Sequence, residues 1–117
     1  MRMLIGAVSL ALLGGCVSSA MNEARLQTPV RVLASSKATP LVAQCIQFSW
    51  QDEAVFGVDA SGYMNTAKDG GMTVYTRGAE SFADLTPQGT GTSVSYYAAK
   101  PDDSVAMRRM AAMATCL

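Results

Sequence analysis

TSVSYY, residues 92–97, is the stretch on which the fold turns. Thr92, Val94 and Tyr96 fall on one side of an extended chain, and Ser93, Ser95 and Tyr97 fall on the other. This period of two, in β-branched and aromatic residues, predicts a half-buried strand. Reading back from it, Ser81–Thr86 is a second candidate strand, turned by Pro87-Gln88-Gly89. Before that, Met72–Thr76 returns from Gly62–Lys68 across Asp69-Gly70-Gly71, a strong hairpin signal. Val55-Phe56-Gly57-Val58 reads as a short extended approach, broken by the turn residues Ser61-Gly62. Consecutive hairpins imply an antiparallel sheet of about four strands.

Helical patterns bracket the strands. Thr39 is placed to cap a helix with Pro40 at its first position, where the missing N–H costs nothing. From residue 40 to 51 the chain places Leu41, Cys45 and Phe48 on one face and Val42, Ile46 and Ser49 on another. Pro101 ends the last strand, Asp102 can cap a second helix, and Asp103 falls in its first turn, where the helix dipole favours negative charge. That helix is expected over 103–115, with Val105, Ala106, Met110, Met113 and Cys116 on its apolar side and Arg108 and Arg109 toward water or the sheet edge. The order helix, strands, helix predicts an α+β two-layer domain over residues 36–117, with the N-terminal and C-terminal helices packed on one face of the sheet. Residues 17–35 show no sustained period and read as a flexible tether, with Pro29-Val30-Arg31-Val32-Leu33 as a candidate short edge strand.

The first residues have a different character. Met1-Arg2 carries a positive charge, and Met3–Leu13 is a run of eleven mostly apolar residues. A bilayer-spanning helix needs about twenty such residues, so the pattern is that of a secretory signal peptide. Its end, Leu13-Gly14-Gly15-Cys16, resembles the lipobox of bacterial lipoproteins, although Gly14 stands where that family more often has Ala, Ser or Thr. The resemblance implies cleavage of a leader over 1–15, a diacylglycerol on the Cys16 thiol and acylation of the new amino terminus. Val17 in place of Asp implies the outer membrane, lipid-anchored on its periplasmic face. Residues 16–35 would then be the lipidated cysteine and its tether.

With Cys16 modified, Cys45 and Cys116 remain, and an even number of thiols in an oxidising compartment reads as a disulfide. The alternative is two separate buried thiols. The stretch Val42-Ala43-Gln44-Cys45-Ile46 with Trp50, then Gly62-Tyr63, Ser93–Tyr97 and Cys116, is similar to a group of small proteobacterial outer-membrane lipoproteins. That resemblance spans residues 36–117. It implies the fold and the disulfide and carries no chemistry with it.

The composition narrows the chemistry further. The chain has no histidine, which removes the commonest general base and metal ligand and with them Ser-His-Asp and Cys-His catalysis. Neither Lys68 nor Lys100 follows a serine at the spacing of a Ser-Lys hydrolase, and Lys37 directly follows Ser36. Asp52, Glu53, Asp59 and Asp84 are the carboxylates weighed for acid–base work; Asp52-Glu53 reads as a solvated pair, and no residue is assigned a catalytic role. Gly89-Thr90-Gly91-Thr92 lacks the third glycine of a phosphate loop and precedes a strand, so it reads as a hairpin turn. Met107, Met110 and Met113 offer thioethers suited to Cu(I), but methionine at helical spacing is more simply core filler. Trp50, Tyr96 and Tyr97 are a candidate aromatic binding surface, against the simpler reading of Trp50 as an anchor between helix and sheet. Nine basic residues, eight without Arg2, face nine acidic ones, which leaves no electrostatic footprint for nucleic acid. The sequence therefore leads to a non-enzymatic binding or accessory module without a cofactor, partnered by another periplasmic or envelope protein. An inhibitor of a hydrolase such as lysozyme is the alternative.

Overall fold

A computed structural model describes residues 17–53 and 61–117; Cys16, Asp59 and the extended segment expected at 55–58 lie outside them. The elements, in chain order, are a helix α1 over residues 17–25, strand β1 (Arg31–Ser35), helix α2 (Thr39–Gln51), strands β2 (Tyr63–Thr66), β3 (Met72–Tyr75), β4 (Ser81–Gln88) and β5 (Gly91–Ala98), and helix α3 (Ser104–Ala114). The fold is α+β, as the pattern predicts. The sheet is antiparallel with five strands in the order β1-β5-β4-β3-β2. β2 to β5 form the expected meander, and the fifth strand is the candidate edge strand, shifted two residues onward.

The alternation in residues 92–97 organises both faces of the sheet. Val94 and Tyr96 point into the main core with Val74, Ala83 and Leu85, beneath Val42, Ile46 and Trp50 of α2 and Met113 of α3. On the other side Tyr97 stacks on Phe82, ring centroids 4.6 Å apart. The α2 pattern resolves in favour of the Val42 and Ile46 face, which also carries Ala43 and Trp50; Leu41 and Phe48 are 62% and 51% exposed. Cys45 of α2 and Cys116, just beyond α3, form a disulfide across the two helices, with Cα atoms 5.7 Å apart.

Four local expectations shift. Thr39 does not cap α2; Ala38 holds that position, and the Thr39 hydroxyl is buried 3.0 Å from that of Thr92. The cap of α3 is Asp103 rather than Asp102, its carboxylate accepting from the Val105 amide. Pro87 and Gln88 belong to β4, leaving Gly89-Thr90 as the turn, with Gly89 at φ +61°. The segment read as a tether is structured: α1 lies on the second face of the sheet, where Met21 is buried with Ala79 and Phe82, and β1 pairs with β5. Both find their partners far along the chain, which local patterning could not reveal.

Candidate functional site

The second face of the sheet brings together the most chemistry. Residues alternate along β3, β4 and β5, so Thr73, Tyr75, Phe82, Asp84 and Tyr97 all emerge on the side away from α2 and α3. Helix α1 crosses this face. Its Arg25 grips the Asp84 carboxylate with two donors, Nε to Oδ2 at 2.6 Å and Nη2 to Oδ1 at 2.8 Å. The Thr73 hydroxyl also donates to Asp84 Oδ1 at 2.8 Å. Arg25 further donates to Asn22 Oδ1 and Thr73 Oγ1, and its guanidinium carbon lies 5.3 Å from the centre of the Phe82 ring. The bond to Asp84, opposed by partial burial, raises the Arg25 pKa above its ordinary value. Asp84, a carboxylate weighed for acid–base work, is thus held as the anchor of a bidentate clamp.

On this face Val17 of α1 lines an open groove of about 270 Å³ together with Tyr63, Tyr75, Thr76, Arg77 and Gly78. Tyr63 and Tyr75 face each other directly across β2 and β3, ring centroids 5.4 Å apart. Tyr63 is 45% exposed.

The candidate aromatic surface Trp50, Tyr96 and Tyr97 does not form. Trp50 and Tyr96 are each 1% exposed and meet edge to face inside the core. The Trp50 indole N–H donates to the Arg109 carbonyl at 2.9 Å, and the Tyr96 hydroxyl donates to the Ala106 carbonyl at 2.8 Å. Burial pushes the Tyr96 phenol up from its ordinary pKa, opposed by its contact with Ser81 and by the Arg109 charge. Tyr97 is the next residue of the same strand and points to the opposite face, which separates it from the other two by the thickness of the sheet.

Nor do the methionines of α3 converge. Met113 is fully buried and Met107 is 56% exposed, so the repeat winds from core to solvent and offers no common ligand face. Among the described residues, no group of three or more Cys, Asp or Glu is placed to hold a metal ion. Glu53 lies 3.7 Å from Arg108, and Asp52 is exposed at the end of α2.

Arg109 overturns its expected position. It is 5% exposed, donates to Ser81 Oγ at 3.2 Å and approaches Glu80 Oε2 at 3.7 Å. Its spacing from Ala106 and Met113 placed it on the buried face of α3, a signal outweighed by its charge. Together Ser81, Tyr96, Trp50 and Arg109 tie α3 to the sheet and to α2 through polar contacts inside the core. No described helix is long and apolar enough to cross a membrane. Comparison with protein-family models, with curated proteins and with solved structures found nothing that matches this chain.

Proposed function

We propose that this chain is a bacterial outer-membrane lipoprotein, anchored through Cys16, whose α+β domain serves in the periplasm as a non-enzymatic binding or accessory module for another envelope protein. The observation that carries this reading is the leader itself: Met1-Arg2, eleven mostly apolar residues, then Gly14-Gly15-Cys16. The Cys45–Cys116 pairing supports it, because such bridges persist in oxidising compartments. Asp84, one of the carboxylates weighed for acid–base work, is held in a bidentate pair by Arg25, which fits a structural role for it. Two acyl chains or more would give the stable attachment that one chain does not.

Mass spectrometry of the cellular protein tests the anchor. The expected product starts at Cys16 and carries acyl chains, and Cys16→Ser moves the protein out of the membrane fraction. An intact leader with three free thiols overturns the reading. Photo-crosslinking in intact envelopes tests the module: a partner should be trapped at particular surface positions and lost on their substitution. Inhibition of lysozyme by the purified domain would instead favour the inhibitor.

A further inference from the structure

We infer that the end of the sheet carrying Val17, Tyr63 and Tyr75 is a membrane-contact surface, seated on the bilayer that holds the anchor. This rests on the acylation of Cys16 proposed above and adds an orientation to it. Val17 is joined to Cys16 by one peptide unit, so their Cα atoms are about 3.8 Å apart. Val17 also lines the groove beside Tyr63 and Tyr75. It lies in a helix that Arg25 and Met21 fasten to Asp84 and Phe82. One peptide unit therefore separates the proposed anchor residue from a residue that lines the groove.

The chemistry of the groove suits that position. Tyrosine is favoured at the membrane interface because its ring sits at the acyl boundary while its hydroxyl stays in water. Tyr63 offers such a ring at 45% exposure, directly opposite Tyr75. The occupant of the groove is the headgroup and upper acyl region of the anchoring bilayer. The eight residues of β4 lead away from this end; at about 3.3 Å per residue they carry the Gly89-Thr90 turn about 26 Å from it. The start of α2 lies at that far end too, where Thr39 meets Thr92. These segments face the aqueous compartment.

The acylated chain, reconstituted in phosphatidylcholine vesicles containing lipid brominated in the upper acyl region, tests the orientation. Tyr63→Trp and Thr90→Trp are compared with the parent, whose own Trp50 is buried. Quenching at position 63 should exceed that at position 90 by at least about two-fold, as an interfacial aromatic requires. Equal quenching, or more at position 90, overturns the inference while leaving the lipoprotein reading intact; an unmodified Cys16 in the mass spectrum overturns both. Amide exchange in the unsubstituted chain gives a second readout. It should slow at residues 76–78 on reconstitution and stay constant at 89–91, and no slowing at 76–78 counts against the seated orientation.

Discussion

At Gly91 the absence of a side chain lets two strands meet. A Cβ there would run into the backbone carbonyl oxygen of Ser35, where β1 ends beside the start of β5. Backbone on both sides leaves little room to yield. Gly91→Ala should therefore cost about 1–3 kcal/mol, measured as a lower midpoint in urea, with faster amide exchange in β1. Tyr96 governs behaviour at high pH. Its burial raises the folded-state pKa, so the folded protein holds the phenolic proton that the unfolded chain releases near pH 10. The unfolded state then binds fewer protons, and stability falls as pH climbs from about 10 through the folded value. Tyr97 adds a change of the same sign, through desolvation and the nearby Asp84 charge. Tyr96→Phe should flatten the decline in urea midpoint between pH 9 and 11, although it also removes the bond to Ala106. An unchanged slope would show that Tyr96 is not the titrating group. The period of two in residues 92–97 was legible in the sequence. Which side faces the helices was not, because each side carries a tyrosine and the choice depends on residues contributed by other elements.

Among the elements, α1 departs furthest from its sequence. Val17, Met21 and Ala24 stand at helical spacing, but three apolar positions among Ser, Asn and Glu do not make a helix persuasive without a surface to cover. That surface is Phe82 with Tyr75 and Tyr97, and its ionic partner Asp84 lies 59 residues further along. Nothing local announces either one. Removing the guanidinium should loosen the helix more than the sheet: Arg25→Ala is expected to cost about 1–2 kcal/mol, the scale of hydrogen bonds to a partly exposed charge. Amide exchange should rise in residues 17–25 and hold steady in β5; equal acceleration in both would mean that α1 and the sheet unfold together. The two flanking helices were more readable. Pro40 and Pro101 mark their limits, and for α2 the apolar spacing gave two possible faces. Val42, Ala43, Ile46 and Trp50 won because Trp50 finds a hydrogen-bond partner in the core.

For the molecule as a whole, the Cys45–Cys116 bridge spans a sequence separation of 71 and ties α2 to the end of α3. Closing a loop of that size is worth about 4 kcal/mol in the chain-entropy model, a large part of the net stability of a small domain. The Cys45→Ala, Cys116→Ala double variant should melt well below the parent and lose most of the difference between oxidised and reduced forms. Class and layering could be read in advance because hairpins and amphipathic helices are short-range patterns. The seating of β1 and α1 could not, because it joins residues about sixty positions apart. The same topology sets an order in time. Strands β2 to β5 form from neighbouring hairpins and can assemble early, whereas β1 and α1 must wait for β4 and β5 to exist. A newly made chain therefore keeps residues 17–35 undocked while the meander collects itself. During that interval enzymes that trim and acylate the proposed anchor cysteine would meet a pliant substrate, and arrival of α1 on the aromatic face would close their window.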